Sequence, residues 1–153
     1  MAGSDRTGFR RGRSVVGALA AALLAFVALT GWSVDQNADG DLVNAFRRAN
    51  RLSVVRGDAL AMKKAQAWSN RMAATGRLEH TGGGSRLDTR GVTGWCSYYE
   101  NVGYGPTVQD VHKRFQSSRT HRANMLSRTH RIGVGVARKG NMVWVTEIYL
   151  RNC

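Results

Sequence analysis

The chain has few cysteines and few acidic residues, and each of these features limits the range of functions that it can have. Its 153 residues include two cysteines, Cys96 and Cys153, and no C-x-x-C pair, which argues against a zinc site built from cysteines. Only 10 Asp and Glu stand against 23 Lys and Arg, so the formal net charge is +13. A chain this basic is attracted to anionic surfaces such as lipid headgroups, wall polymers or nucleic acid.

Several common catalytic and nucleotide-binding motifs are also missing. Ser117, Ser118 and Thr120 lie near a histidine, but the sequence around them does not predict a nucleophile elbow or an oxyanion hole. The three glycines at 82–84 are not followed by a lysine or by a strand-to-helix pattern, so no phosphate-binding loop is predicted. We therefore expect that the chain is not an enzyme, although the sequence leaves this open.

No apolar run reaches the roughly 20 residues that a membrane-spanning helix needs. Residues 1–13 contain four arginines, and residues 15–29 are apolar or small and uncharged. This pattern predicts a secretory signal over residues 1–33, with cleavage after Ser33, and an extracellular location. The alternative is an uncleaved membrane anchor formed by residues 15–29. No cysteine follows the apolar run, which argues against a lipid-modified N-terminus.

The two cysteines are expected to pair, because they follow an export signal. An oxidising compartment favours one disulfide between Cys96 and Cys153 over two free thiols. The chain-entropy model gives such a bond ~4 kcal/mol of stabilisation.

The remaining sequence predicts helices followed by strands. Residues 34–41 are rich in Asp, Asn and Gly and predict a linker, so the folded domain is expected over residues 42–153. Asp39 or Asp41 is expected to cap a helix that begins near Leu42. Further helices and strands are indicated by the apolar spacing: helices after Asp58 and after Thr107, a helical turn at 121–126, and strands over 95–104, 132–137 and 142–150. The sum is an α+β domain with an antiparallel sheet of about three strands.

The candidate functional residues are His80, Glu100 and His121. Two imidazoles and a carboxylate are a common set of ligands for a divalent metal ion and a common acid–base set. No short spacing links the three, so each could equally be an ordinary surface or core residue. Asn124 shares a helix face with His121 and is expected to fix its ring or to bind the local backbone.

Other conspicuous residues are expected to serve the fold. His112 and His130 are interpreted as structural histidines. Gly133 and Gly135 alternate, so both face the same side of a strand and leave it bare. This bare side predicts a helix or another backbone packed very close to the strand.

Four ordered motifs resemble those of the CAP superfamily. They are L-E-H-T at 78–81, E-N-V-G-Y-G at 100–105, H-R-A-N-M-L at 121–126 and I-G-V-G-V-A at 132–137. The superfamily includes cysteine-rich secretory (SCP) proteins, plant pathogenesis-related proteins and many small bacterial exported proteins. The chain is most similar to the bacterial branch, and the resemblance extends over essentially all of residues 42–153.

The resemblance implies a three-layer α-β-α sandwich with a polar cleft. His80, Glu100 and His121 would converge there, and many members hold a divalent metal such as zinc at this place. A second acid of the animal and plant members is missing, and Ser118 stands near its position. Glu147 stands where bacterial members often have glutamine.

Three functional hypotheses follow. The first is a secreted binding or signalling module at the cell envelope, with an unidentified ligand in the cleft. The second is a metal-dependent hydrolase, with His80 and His121 as ligands and Glu100 as ligand or base. The third is a basic binder of anionic envelope polymers or lipids. Nucleic acid ranks last because the basic residues are scattered, and a monomer is expected.

Overall fold

The computed structural model describes residues 33–153. Apart from Ser33, the predicted export signal lies outside the described residues, and so does the alternative anchor at 15–29. None of the helices within residues 33–153 combines the length and the apolar character needed to cross a bilayer.

The described residues form helices and strands around one mixed sheet. In chain order they are α1 (Val34–Ala49), β1 (Arg56–Gly57), α2 (Ala59–Thr75), β2 (Ser97–Gly105), α3 (Val108–Ser117), α4 (Arg119–Met125), β3 (Arg131–Lys139) and β4 (Met142–Arg151). The sheet order is β1-β3-β4-β2, with β1 parallel to β3 and the other pairs antiparallel. The α+β prediction is confirmed. The sheet has one strand more than expected, because β1 is only two residues long and leaves no period-two pattern in the sequence.

The helices cover both faces of the sheet, which confirms the three-layer sandwich. On one face, α2 buries Ala61 and Ala65 against Ile148 and Leu150 of β4. On the other face, α1, α3 and α4 bury a larger apolar cluster against β3 and β4. This second cluster includes Val43, Val111, Phe115, Met125, Val134, Val145 and Tyr149. Alternate residues of β4 therefore face different helices, as the pleat of a strand requires.

Helix α2 lies directly against β3, as the alternating glycines predict. A Cβ atom added at Gly133 would lie 2.2 Å from the backbone carbonyl carbon of Ala61. A Cβ atom at Gly135 would lie 2.2 Å from the corresponding carbon of Ala65. Ser69 then donates a hydrogen bond of 2.9 Å to the carbonyl oxygen of Gly135. Helix and strand backbones meet here without intervening side chains.

The predicted linker at 34–41 is wrong, because these residues form the first half of α1. Ser33 is the N-cap and forms a capping box with Gln36: each side chain accepts a hydrogen bond from the other residue's backbone N–H, at 3.2 Å and 2.6 Å. Asp39 is consequently mid-helix and fully buried, and it does not cap a helix. Asp, Asn and Gly favour loops only weakly, and burial of this helix face against the sheet outweighs that preference.

Two glutamine side chains occupy the outer edge of β3 where β1 does not reach. Gln36 of α1 donates to the carbonyl oxygen of Val134 at 2.8 Å. Gln66 of α2 both donates to the carbonyl oxygen of Val136 at 2.8 Å and accepts from its N–H at 3.0 Å. The side-chain amides thus replace the hydrogen bonds that a longer neighbouring strand would make.

The disulfide between Cys96 and Cys153 is confirmed. The two Cα atoms are 5.0 Å apart across a sequence separation of 57. The backbone N–H of Cys96 also donates to the carbonyl oxygen of Arg151 at 2.8 Å. The bond therefore ties the start of β2 to the end of β4.

Candidate functional site

The candidate site lies along β2, which is an edge strand of the sheet. The carboxylate of Glu100 is buried, and its Oε1 lies 2.8 Å from Nδ1 of His80. The same oxygen accepts a hydrogen bond of 3.0 Å from the backbone N–H of Thr81. The loop after α2 is thus fastened to the strand through one carboxylate oxygen.

This pairing fixes how His80 presents its ring. Oε1 of Glu100 also accepts from Thr81, so Nδ1 of His80 is the donor in this pair, and Nε2 is not engaged by Glu100. A carboxylate that orients a histidine in this way is the usual support of a metal-binding imidazole. The His80 side chain is 26% exposed, so a ligand can reach it from solvent.

Glu100 has a second oxygen that is not used within the described part of the chain. Its Oε2 is buried without a hydrogen-bond partner among residues 33–153, and so is the hydroxyl of Tyr98. Burial, followed by the charge of Glu100, raises the pKa of Tyr98, which keeps its hydroxyl protonated. Oε2 of Glu100 is therefore a buried polar atom that a water molecule or a ligand could satisfy.

His121 approaches the same strand from α4. Its ring is half-buried and packs against the ring of Phe115, with 4.9 Å between the centroids. Burial lowers the pKa of His121, and the nearby His80 lowers it further. The imidazole of His121 is therefore neutral at neutral pH, and a neutral imidazole has the lone pair that a metal ion or a hydrogen-bond donor needs.

Two asparagines hold α4 against β2. Asn101 donates to the carbonyl oxygen of His121 at 3.2 Å. Asn124 donates to the carbonyl oxygen of Glu100 at 3.2 Å and to Oδ1 of Asn101 at 2.9 Å. Of the two expected roles, Asn124 does not hold the His121 ring; it binds backbone, but that of β2 and not that of its own helix. Ser118, which stands in place of the missing acid, is the half-buried junction between α3 and α4 and forms no side-chain cap.

Arg47 of α1 fixes the chain that follows α4. It is 2% exposed, and its guanidinium donates to four backbone carbonyl groups. The acceptors are Ser53 at 2.9 Å, Met125 at 2.7 Å, Ser127 at 3.0 Å and Thr129 at 3.3 Å. Burial lowers the pKa of Arg47, but an arginine remains charged at any physiological pH.

Replacing Arg47 is expected to destabilise the domain and to loosen α4. Arg47→Met keeps much of the side-chain volume but leaves buried carbonyl groups without donors, at a cost of about 3 kcal/mol. Urea unfolding followed by circular dichroism would measure the loss. Arg48→Met, on the exposed side of the same turn, is the matched control and should change stability by less than about 0.5 kcal/mol. Equal stability of the two variants would contradict the assigned role.

The structure brings His80 and Glu100 into direct contact, and His121 lies near enough to His80 for the His80 charge to lower its pKa. However, the ligand atoms of His80, Glu100 and His121 do not all lie within 4.8 Å of one another. Within residues 33–153, only one set of three His, Cys, Asp or Glu side chains meets this distance, and it consists of other residues. A metal ion shared by His80, Glu100 and His121 stays a prediction.

That set consists of Asp39, His112 and Glu147, which the sequence analysis did not connect. All three side chains are buried between the sheet and the helices α1 and α3. Burial raises the pKa of Asp39, and the charge of Glu147 adds to the effect. Burial also raises the pKa of Glu147 and lowers that of His112 to about 4. One ligand atom of each residue lies within 4.8 Å of the other two, so this group could hold a metal ion.

A sequence signal for this set exists at Asp39. It stands four and eight positions before Val43 and Arg47, on the buried face of α1. An acid on the core-facing stripe of a helix is unusual unless it is paired. His130, by contrast, is exposed and accepts a hydrogen bond of 3.1 Å from the backbone N–H of Asn152, in line with its expected structural role.

Solved structures share this architecture. An extracellular protein containing an SCP domain from Bacillus anthracis aligns with a TM-score of 0.66 at 25% identity, over 77% of this chain and 40% of that protein. An outer surface protein from Borrelia burgdorferi aligns with 0.69 at 14% identity, over 78% and 93%. A cysteine-rich secretory protein from Staphylococcus aureus aligns with 0.60 at 16% identity, over 77% and 39%. The chain spans less than half the length of the Bacillus and Staphylococcus proteins.

The sequence comparison gives the family. No curated protein matches the chain. The family model described as the cysteine-rich secretory protein family, CAP, matches residues 41–149, which include His80, Glu100 and His121. This match covers most of the chain, and the sandwich described above agrees with it. The chain therefore belongs to the CAP, or cysteine-rich secretory protein, family.

Proposed function

We propose that this chain is an extracellular binding module of the cell envelope, and that its ligand occupies the cleft formed by His80, Glu100 and His121. The observation that supports this most is the buried Glu100 carboxylate, which orients the His80 ring through Nδ1 and leaves Nε2 available to a ligand. His121 supplies a second imidazole in the neighbourhood of His80, and burial lowers its pKa. The strongly positive net charge makes anionic envelope polymers or lipids the proposed partners.

The residue types of this set suit a divalent metal ion, and binding would require their donor atoms to come closer together than they are here. Two imidazoles with a supporting carboxylate suit Zn²⁺, and the unpartnered Oε2 of Glu100 leaves a further oxygen available. His80 and His121 would hold the ion, and Glu100 would fix the tautomer of His80. A zinc ion bound there would supply a Lewis acid. Zinc is also a practical probe, because NaASP2, a protein with this fold at 11% identity and a TM-score of 0.55, has been crystallised with Zn²⁺.

A binding role is favoured over catalysis by what surrounds the histidines. Within residues 33–153, no hydroxyl or thiol group hydrogen-bonds to the ring of His80 or His121. A covalent mechanism through an activated Ser, Thr or Cys therefore has no support. The second candidate is a metal-dependent hydrolase, because Oε2 of Glu100 is a buried carboxylate oxygen that could act as a base.

Zinc should bind in the cleft, and the affinity should depend on both histidines. Isothermal titration calorimetry near pH 7.5, where His121 is neutral, should detect binding to the full-length chain. His80→Gln and His121→Gln should each abolish it, and Glu100→Gln should weaken it about 10–100-fold, because it removes only the group that orients His80. His130→Gln deletes an imidazole outside the cleft and should leave the affinity unchanged. An unaltered affinity in His80→Gln would remove the proposed metal site.

The same variants separate the binding module from the hydrolase. If the chain is a hydrolase, zinc-loaded protein should turn over ester or peptide substrates, and the rate should fall in His80→Gln and Glu100→Gln alike. If it is a binding module, both the wild type and the variants should show only the uncatalysed rate. Turnover that the two substitutions abolish would overturn the proposal.

A further inference from the structure

The buried set of Asp39, His112 and Glu147 contains polar atoms that the described part of the chain does not satisfy. Both oxygens of Asp39, Oε1 of Glu147 and Nδ1 of His112 are buried and have no hydrogen-bond partner among residues 33–153. Asp39 and Glu147 are 0% exposed, and His112 is 3% exposed. Burying a polar atom without a hydrogen-bond partner costs folding free energy. A cluster of such atoms at one point therefore indicates that something binds there.

The other atoms of two of these side chains are already held. Oε2 of Glu147 accepts hydrogen bonds from the hydroxyl of Tyr149 at 2.6 Å and from Nδ2 of Asn101 at 2.9 Å. Nε2 of His112 lies 2.9 Å from the side-chain amide of Gln116. Each residue thus has one atom fixed by a neighbour and one atom left free. Metal-binding carboxylates and histidines are supported in this way.

Charge neutrality points to the kind of occupant. No Lys or Arg within the described residues forms a salt bridge with Asp39 or Glu147. Two carboxylates in the interior need two positive charges or protons, and one divalent cation supplies both charges. We propose that Asp39, His112 and Glu147 bind a divalent first-row metal ion, such as Zn²⁺, between α1, α3 and β4. This interior site goes beyond the proposed function and does not depend on it.

The competing explanation is a proton shared by the two carboxylates. One proton would account for Asp39 and Glu147 but would leave Nδ1 of His112 without a partner, and a second carboxyl proton, donated to Nδ1, would be needed to satisfy all three groups. A metal ion uses all three, and one nitrogen with carboxylate oxygens is an ordinary zinc ligand set. His112 would then keep its proton on Nε2 and donate it to the amide oxygen of Gln116, which requires only a half-turn of that amide group.

Burial also predicts how the ion exchanges. The ligands are closed off from solvent by α1 and α3, so the ion should enter while the chain folds and leave only when it unfolds. An ion in the cleft, by contrast, is in contact with solvent through His80 and should exchange quickly. A chelator therefore distinguishes the two sites in the same protein.

The experiment is to unfold the full-length chain, refold it with Zn²⁺, remove weakly held ions with EDTA and measure the retained zinc by mass spectrometry. We expect one retained zinc per chain in the wild type. His80→Gln should retain it as well, because all three interior ligands are intact. Glu147→Gln should retain none, although its glutamine oxygen can still accept from Tyr149 and Asn101. Gln116→Leu should weaken retention about 10–100-fold.

Refolding with Co²⁺ gives a second reading, since an ion bound by nitrogen and oxygen produces a visible absorption spectrum that Glu147→Gln should abolish. Zinc-free wild type after refolding would overturn the proposal whether or not the variants fold. Equal retention by wild type and a folded Glu147→Gln, checked by circular dichroism, would overturn it too. Loss of chelator-labile zinc alone would count against the cleft and leave the interior site standing.

Discussion

Gly135→Val is expected to destabilise the domain by roughly 5 kcal/mol, which is an unusually large loss of stability for a single substitution. Even the first added carbon atom would stand 2.2 Å from the backbone carbonyl carbon and oxygen of Ala65. The obstacle is the helix backbone, which cannot move aside as a flexible side chain can. Helix α2 would have to separate from β3 and expose the buried Ala61 and Ala65.

The control for this prediction is Gly140→Ala in the turn between β3 and β4. Gly140 has a φ of +59°, and an added Cβ atom would meet no other atom within 4 Å. Alanine there should therefore cost only the free energy of placing an L-residue in the left-handed region, about 1–2 kcal/mol. Urea unfolding of both variants gives the two values on one scale. If Gly135→Val cost no more than Gly140→Ala, the close packing of α2 on β3 would be refuted.

Removing the disulfide is expected to cost ~4 kcal/mol. The bond between Cys96 and Cys153 closes a large loop, and the chain-entropy model assigns most of its effect to the unfolded state. The double variant Cys96→Ser, Cys153→Ser should therefore unfold at lower urea concentration while keeping the folded circular dichroism spectrum. The reduced wild type should match the double variant.

A titration of the wild type with reductant tests the same prediction without any substitution. If dithiothreitol left the urea midpoint of the wild type unchanged, the bond would contribute nothing under these conditions and the prediction would fail. The free-energy difference should also be similar with and without added zinc, since no proposed ligand is a cysteine.

Much of the fold could be predicted from local sequence. Asp58 and Thr107 are helix caps as expected, and each side chain accepts from a backbone N–H three residues on. Gly133 and Gly135 indicated the helix packing, because only a bare strand face admits a backbone. The sequence does not predict the first half of α1, because the composition of residues 34–41 favours a loop. Packing of this segment on the sheet stabilises it as a helix.

The candidate site was only partly predictable. Spacing alone did not link His80, Glu100 and His121; the ordered motifs of the family did. Glu100 binds Nδ1 of His80 because the loop after α2 lies against β2. That path is a tertiary feature without a local signature. His112 has an unremarkable helical position, and its connection to Glu147 arises only when α3 packs on β4.

Asn101 links the two proposed metal sites. Its side-chain nitrogen lies 2.9 Å from Oε2 of Glu147 and 3.2 Å from the carbonyl oxygen of His121. One amide therefore contacts both the interior set and the helix that carries His121. A change at Asn101 should affect both sites, whereas the variants proposed above affect one at a time.

The glutamines on the outer edge of β3 have a consequence for association. An exposed strand edge invites pairing with a strand of another molecule, and many proteins aggregate by this route. Gln36 and Gln66 already occupy the groups at Val134 and Val136 that such a strand would need. Sheet extension between copies is thereby disfavoured on this side of the sheet.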